Sequence, residues 1–400
     1  MGHIKKISST TKKNITKKTS TLAALTASAL ALPAFQCTAA TAPTESEIGY
    51  RYSNYQEDDV PNGLVATGDS KRYTIDTQQF RLLSPIGKNF SVSFSALAEK
   101  MSGASPLGTQ SDSNGNPLLV MSGASGTGIT EDRTDFTANL THYGSSLTTS
   151  FTAGQSDEKD YKANYYGLSS EWEFNDKNSA IQLGLSRSDD KITPTDAILF
   201  GRVQEASKDT TGISLGFSQV LNKANIIQFG LELSEDKGYL AAPYKIDDVR
   251  PDSRSRTAAV MRYRSFFPKS NAALHFDYRY YSDDWDIASH TFNLAWHKNV
   301  TSRFQLIPSF RYYSQTEASF YEPYKVPSNT SPYYSSDYRL SPYGAIAVGL
   351  QLVHKFKSWS YTAKVERYES DSSFSLEKVA IENPGLVSYT LVTVGFDIKF

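Results

Sequence analysis

Alternation of apolar and polar residues dominates the sequence from residue 48 to the C-terminus. A period of two places every second side chain on the same face of a strand, so each such segment predicts a strand with one apolar and one polar face. There are sixteen segments, most of 10–14 residues, whereas an ordinary strand has about five or six. About 9–11 tilted residues cross a membrane. Clear examples are Phe90, Val92, Phe94 and Ala96, then Ile213, Leu215 and Phe217, and Ile227, Phe229, Leu231 and Leu233.

The connections alternate between tight turns and long polar loops. The segments begin near residues 48, 71, 89, 131, 146, 161, 179, 210, 226, 253, 271, 286, 302, 338, 358 and 386. Tight turns include Tyr143-Gly144 and Pro268-Lys269-Ser270-Asn271, and the longest loop is 101–130. Outer-membrane barrels have short turns on the periplasmic side and long loops outside the cell. An even strand count then puts both ends of the barrel on the periplasmic side.

The apolar face requires a closed sheet. In hydrocarbon each unpaired backbone N–H or C=O costs several kcal/mol, so an open sheet edge is not tolerated. The predicted fold is therefore all-β: a closed antiparallel transmembrane β-barrel of about 16 strands, of the outer-membrane type. Aromatic residues near segment ends, such as Trp172, Trp296 and Trp359, suit the interfacial girdles of such a barrel. A secreted β-sandwich or propeller is the alternative, but those folds use shorter strands.

The first 42 residues predict a cleaved secretory signal. Six lysines and no acidic residue precede the apolar stretch Thr21–Phe35, and small residues follow at Thr38–Ala42, which is the order of such signals. We expect cleavage near residues 39–42, leaving a barrel of residues 43–400. Lipidation of Cys37, the sole cysteine, is an alternative. Without the six lysines the chain has 35 basic and 42 acidic residues, a net charge of −7. No positive field remains for nucleic acid.

The last residues alternate in register with the sixteenth segment. Val394, Phe396, Ile398 and Phe400 share one face, and the stretch resembles the C-terminal insertion signal of bacterial outer-membrane proteins. Gly395, Ile398 and Phe400 carry that resemblance.

The second segment departs from strict alternation. Tyr73, Ile75 and Thr77 are out of phase with Phe80 and Leu82. One extra residue reverses the faces of a strand, so we expect a bulge near Gln78-Gln79.

Three stretches resemble an uncharacterised Gram-negative outer-membrane family catalogued as domain of unknown function 3570. They are Arg51–Asp59, Lys71–Asp76 and Lys100–Pro106, of which Met-Ser-Gly-Ala-Ser-Pro at 101–106 is the most specific. The resemblance implies a barrel and supplies no activity and no catalytic residues. It also implies a small lipoprotein, a periplasmic flavin transferase and a thioredoxin-like protein as neighbours, which suggests a role in export or redox chemistry. Met121–Ser125 repeats Met101–Ser105 within the longest loop. One interpretation of the repeat is a recognition hairpin folded into the lumen, and the other is a flexible small-residue loop.

Charged residues on the inward face are unevenly distributed. A basic strip facing acidic loops would create a transverse field that favours anionic solutes. The alternative is a lining whose salt bridges only stabilise the wall. The candidate lumen-lining charges are Arg254, Arg256, Arg262, Arg264, Arg279, Arg303, Arg311, Glu232 and Asp277, with Glu366 nearby.

His275 and His297 fall on the inward faces of neighbouring strands, where they could be cross-strand neighbours near the periplasmic rim. With Asp277 they could hold a divalent metal, but such a site usually needs three or four ligands, so polar lining is the better interpretation. The sequence has no CxxC, Walker loop, dinucleotide fingerprint or EF-hand. We therefore expect no catalytic, cofactor-binding or metal-binding residues, and no enzyme.

The sequence thus favours a porin-like channel or export conduit for small polar solutes in the outer membrane of a Gram-negative bacterium. Loop 101–130 would narrow its lumen. The expected partners are outer-membrane lipids, the barrel-insertion machinery, a periplasmic lipoprotein and, as a homo-oligomer, further copies of the chain. A non-conducting scaffold or secretion partner for a periplasmic lipoprotein or redox system is a second hypothesis, and an outer-membrane hydrolase is a third.

Overall fold

The computed structural model describes residues 41–122, 129–326 and 330–400, in which sixteen antiparallel strands form a closed barrel. The predicted signal sequence lies almost wholly outside the described residues. The predicted fold class is confirmed. The barrel strands are β1 (Glu47–Glu57), β3 (Thr74–Ile86), β4 (Phe90–Gly103), β7 (Ile129–Tyr143), β8 (Leu147–Asp157), β9 (Tyr161–Phe174), β10 (Ser179–Ile192), β11 (Ala206–Asn222), β12 (Asn225–Gly238), β13 (Ser253–Phe267), β14 (Ala272–Asp283), β15 (Ala288–Asn299), β16 (Phe304–Gln315), β17 (Tyr343–Lys355), β18 (Trp359–Asp371) and β19 (Tyr389–Lys399).

Three further strands and a few short helical turns lie in the long loops. The strands are β2 (Val65–Thr67), β5 (Pro106–Ser111) and β6 (Pro117–Met121), which form a separate small sheet in the order β2-β6-β5. The helical segments are α1 (Ala197–Phe200) and the 3-10 turns Asn62–Leu64, Pro268–Ser270, Tyr338–Leu340 and Ser372–Phe374.

None of the helices in the described ranges is long and apolar enough to cross a membrane.

The first and last strands close the barrel. β1 pairs with β19 along its whole length, from Glu47 opposite Lys399 to Glu57 opposite Tyr389. At this seam Arg51 lies across Gly395, and a Cβ built on Gly395 would lie only 2.2 Å from Arg51 Cδ. The Arg51 guanidinium then reaches Asp397 at 2.7 Å. Gly395 is therefore required for close packing at the seam, beyond any role in insertion.

Every second side chain of the strands points outward into a continuous apolar belt. Leu183 and Leu185 on β10 are 52% and 50% exposed, which is typical of side chains that face lipid rather than a core. The belt continues around the wall through Ile213, Leu215, Phe229, Leu231, Leu233, Phe292, Leu294, Phe310, Val348, Leu350, Val392, Val394, Phe396, Phe94, Phe136 and Leu168.

Several strands continue beyond this belt on the side of the long loops. On β12 the apolar outward residues end at Leu233, and the outward positions Glu235 and Lys237 form a salt bridge at 2.8 Å. On β10 the corresponding change comes after Leu185, at Arg187. We call these projecting strand ends the collar.

The bulge predicted near Gln78-Gln79 is wrong. β3 pairs with β1 and with β4 in unbroken register through both residues. Phe80 faces outward, and Ile75 faces inward because it packs in a buried cluster with Tyr73, Met101 and Tyr55. The change of apolar phase therefore marks where the inner face becomes a packed core, while the strand itself continues regularly.

Candidate functional site

The long loops fold together over one end of the barrel. We call this assembly the cap, and we define it by residues 58–73, 104–122, 239–252, 316–326 with 330–342, and 372–388. The loop after β4 reaches loops on the far side of the barrel: Ile246 N donates to Leu107 O at 2.7 Å, and Thr109 Oγ1 donates to Pro323 O at 2.5 Å. A buried cluster at the edge of the cap contains Trp285, Ile287, Ala318, Phe320, Tyr321 and Leu340.

Asp337 is the charged centre of the cap. Its carboxylate is fully buried and accepts from Arg250 Nη2 at 2.9 Å and from Arg339 Nε at 3.0 Å, and it pairs with Lys245 Nζ at 3.5 Å. Burial alone would raise its pKa, but Arg339 and Lys245 hold the pKa of Asp337 well below its usual range. Burial also lowers the pKa of Lys245 to about 8, although Asp337 opposes that shift.

Lys245 extends this network to the hairpin of β5 and β6. Its ammonium group donates to Pro106 O at 3.0 Å, so three separate loops meet at one buried carboxylate. The first Met-Ser-Gly-Ala-Ser stretch, Met101–Ser105, and the described residues Met121 and Ser122 of the second lie at the base of the same hairpin. Ser105 N donates to Ser122 Oγ at 2.9 Å and Ser122 N donates to Ser105 O at 2.9 Å. The two copies therefore hold each other, and residues 123–125 lie outside the described part.

A cavity of about 490 Å³ lies beneath the cap. The hairpin supplies its outer wall through Ser105, Pro106 and Leu107, and the barrel supplies its inner wall through β12, β13 and β14. Residues 105–107 of the predicted loop 101–130 therefore line this cavity. Of the predicted lumen charges, this cavity brings together Glu232, Arg254, Arg256 and Arg279.

Most of the cationic groups around the cavity have a carboxylate partner. Arg254 Nε donates to Asp283 at 2.9 Å, with its guanidinium 4.3 Å from the Trp285 ring centre, and Arg256 Nη2 donates to Asp236 at 2.6 Å. These contacts match the salt-bridged alternative for the basic strip.

Arg279 differs. Its guanidinium lies 5.2 Å from the Tyr281 ring centre, and its buried Nε has no hydrogen-bond partner among the described residues.

The remaining predicted charges lie elsewhere. Arg264 pairs with Asp277 across neighbouring strands, and Arg262 lies opposite Asp277 in the same register. Arg311 Nε donates to Asn293 at 2.7 Å. Glu366 Oε2 accepts from Lys364 at 2.8 Å.

The placement of Arg303 on a strand is wrong. Arg303 lies exposed in the turn before β16, where Thr301 Oγ1 accepts from its backbone N–H at 3.2 Å. That turn uses the residues that the alternation had assigned to the strand.

Small side chains make up much of the inner face of β8 to β11, together with the larger inward residues Tyr161, Tyr165 and Glu171. We call this surface the small wall, and a second cavity of about 360 Å³ lies along it. The two cavities share wall residues Tyr161, Lys208, Glu232, Asp236 and Arg256, so they are adjacent. The small wall consists of Thr148, Ser150, Thr152, Gly154, Ser156, Gly167, Ser169, Gly184, Ser186, Ser188, Thr210, Gly212, Ser214, Gly216 and Ser218.

The two inward histidines are neighbours. His275 and His297 have ring centres 3.9 Å apart and lie diagonally across β14 and β15. Asp277 is engaged with Arg264, and no third ligand group accompanies the pair within the described ranges.

One acidic cluster was not predicted from the sequence. Oxygens of Glu131, Glu158 and Asp160 lie within 4.8 Å of one another, and all three residues are buried. Tyr244 of the cap donates to Asp160. Alternation places Glu131 inward, but nothing in the sequence relates it to the loop between β8 and β9. Residues 123–128, which precede Glu131 closely, are outside the described part.

A closed sixteen-stranded barrel with an apolar belt and a polar interior defines the class of outer-membrane-type barrels. A family model described as "Protein of unknown function (DUF3570)" matches residues 22–387. The chain belongs to that family, as the resemblance indicated. A comparison with curated proteins finds no match.

Solved structures with a similar fold are outer-membrane barrels. CdiB from Acinetobacter baumannii has a TM-score of 0.50 at 8% identity, over 90% of this chain and 60% of CdiB. A "Bacterial polysaccharide outer membrane secretin" has a TM-score of 0.47 at 11% identity, over 89% of this chain and 97% of the secretin. OccK9 (OpdG) from Pseudomonas aeruginosa has a TM-score of 0.42 at 10% identity, over 89% of this chain and 98% of OccK9. At these identities the likeness concerns the fold.

Proposed function

We propose that the protein is a conduit for small polar solutes in the outer membrane of a Gram-negative bacterium, closed at its outer end by the cap. The observation that carries this proposal is a polar interior with two adjacent cavities of about 490 and 360 Å³, beneath loops joined at Asp337. Barrels of 16–18 strands can leave an aqueous channel. The small wall leaves room for such a channel, because its side chains hardly project into the lumen.

Opening requires the hairpin of β5 and β6 to leave the mouth. The hairpin is tied to the rest of the cap by the Lys245 contact with Pro106 and by the hydrogen bond from Ile246 to Leu107. Both of these ties are to one loop, 239–252, and a third, from Thr109 Oγ1 to Pro323 O at 2.5 Å, is to loop 316–326, so both loops must move to release the hairpin.

Single-channel recording in planar bilayers tests the proposal. The hairpin can be removed at its base by joining Ser105 to Ser122 through an Asn-Gly turn, because the two backbones already hydrogen-bond there at 2.9 Å. We expect the wild-type protein to conduct rarely, and the shortened variant to give steady stepwise current. Migration on gels with and without boiling would verify that both proteins are folded barrels. Silence of both folded proteins would contradict a conduit.

That silent outcome would favour a second function, a non-conducting scaffold or secretion partner for a periplasmic lipoprotein or redox protein. The packing of the cap supports this alternative, because Arg72 is buried against Glu57 at 2.6 Å and donates to Gly385 O at 2.9 Å. A cap with such buried ion pairs resembles a fixed structure as much as a gate. We propose a non-enzymatic role in either case, with insertion by the barrel-assembly machinery and a homo-oligomer as further proposals.

A further inference from the structure

Glu232 and Arg279 face the same cavity and do not form an ion pair with each other. Glu232 lies on β12 in register with Ala258 on β13 and with Tyr281 on β14. Arg279 lies two residues from Tyr281 on the same inward face of β14. Between them on β13 is the small side chain of Ala258, and the Tyr281 ring lies beside the guanidinium.

Both charges lack the partners that their neighbours have. Arg254, Arg256, Arg250 and Arg339 all form ion pairs with aspartates. Within the described residues neither Glu232 nor Arg279 has an ion-pair partner, and Arg279 Nε has no hydrogen-bond partner. Both residues are half-buried, and burying charge without a partner is costly, so two such groups on one cavity wall indicate a place for a complementary ligand.

The spacing and surroundings define the class of ligand. Neighbouring strands lie about 4.8 Å apart, so the backbones of β12 and β14 are about 10 Å apart. Both side chains line the same cavity, so a molecule that carries opposite charges could contact both. Tyr281, Trp285 and Tyr313 supply aromatic surface on the same wall, and a cavity of about 490 Å³ is within the range for small-molecule sites.

We propose that this cavity binds a small zwitterion of amino-acid to dipeptide size, with its carboxylate against Arg279 and its ammonium group against Glu232. The inference rests on the proposed function, because it names the solute class that the conduit would hold. The two nevertheless fail separately. Conductance without binding would overturn only the site, and binding without conductance would overturn only the conduit.

Binding of L-alanyl-L-phenylalanine to the full chain in detergent micelles provides the test, followed by calorimetry and by the fluorescence of Trp285, which lines the cavity. N-acetylated and C-amidated forms of the same dipeptide each remove one charge. We expect each to bind the wild-type protein about tenfold more weakly, the loss of one charged contact. Arg279→Gln should bind the dipeptide and its amide equally, and Glu232→Gln should bind the dipeptide and its N-acetyl form equally.

Two further variants serve as controls for misfolding and for nonspecific effects of charge. The double variant Glu232→Arg with Arg279→Glu keeps both charges in exchanged places, so it should bind the zwitterion in the reverse orientation within about threefold of wild type. Arg311→Gln removes an inward arginine that does not line the cavity and should leave binding unchanged. Equal binding of all three peptides by the wild-type protein would overturn the inference, as would the absence of dipeptide binding by folded protein at millimolar concentration.

Discussion

Asp337→Asn should open the cap. The change leaves Arg250, Arg339 and Lys245 around a neutral amide in a site that is fully buried. Removing one member of a buried ion pair costs about 3–5 kcal/mol, because uncompensated charge remains in a poorly solvated place. Since about 1.4 kcal/mol is a factor of ten, the equilibrium between open and closed cap should shift by roughly a hundredfold to a few thousandfold.

Open probability in planar bilayers measures this shift directly, and limited proteolysis of loop 239–252 measures it in detergent. Asp58→Asn is the matched control, since Asp58 pairs with Arg367 at an exposed site, at 2.8 Å from Oδ1 to Nη1. Exposed ion pairs contribute about 0–1 kcal/mol, so the control should behave like the wild type. If Asp337→Asn neither conducts more nor is cleaved faster than Asp58→Asn, the buried network does not hold the cap closed.

Three other outcomes follow from single contacts. Gly395→Leu should reduce the fraction of protein that forms a heat-modifiable barrel, because the leucine side chain would occupy the space of Arg51. Adding Arg51→Ala to the same chain should restore that fraction. An equal loss in the single and the double variant would show that only insertion is affected. The pKa of Lys245 in the folded cap is about 8, below the ordinary 10.5, so the closed cap favours the neutral amine and its stability should rise from pH 8 towards 10.5. Protection of the cap from protease should therefore rise over this range in the wild type and not in Lys245→Met. Parallel pH profiles of the two proteins would contradict this. The double variant Arg262→Glu with Arg264→Glu should lower the preference for anions in reversal-potential measurements, whereas Arg303→Glu, in an exposed turn, should not. The same loss of preference in both would show that selectivity depends only on the net charge of the protein.

The barrel wall could be predicted from the sequence because lipid and water impose a period of two on it. Ile213, Leu215 and Phe217 are outward for the same reason that Ser214 and Gly216 are inward, and no distant residue is needed to decide it. The same logic placed Arg279 on the inner face. The missed strands β5 and β6 are short and pair only within the cap, so no membrane-length repeat marks them.

The cap could not be predicted in this way. Asp337 and Arg250 are 87 residues apart, and their contact depends on two loops that have no periodic pattern. The alternation also gave no information on which charges would find partners: Arg264 meets Asp277 across one strand pair, while Arg279 meets only an aromatic ring among the described residues. Whether a charged residue forms an ion pair depends on the length and conformation of its side chain and on the curvature of the barrel wall.

The collar sets the height at which the protein meets its surroundings. From Leu233 to Gly238 the β12 strand runs five residues past the last apolar outward position, which at about 3.3 Å per residue and a tilt of about 40° is a rise of roughly 13 Å. The loops over the mouth are thus presented to the outside world on a stiff rim, clear of the acyl chains. A large particle such as an antibody or a virus could bind these loops and displace them without contacting lipid.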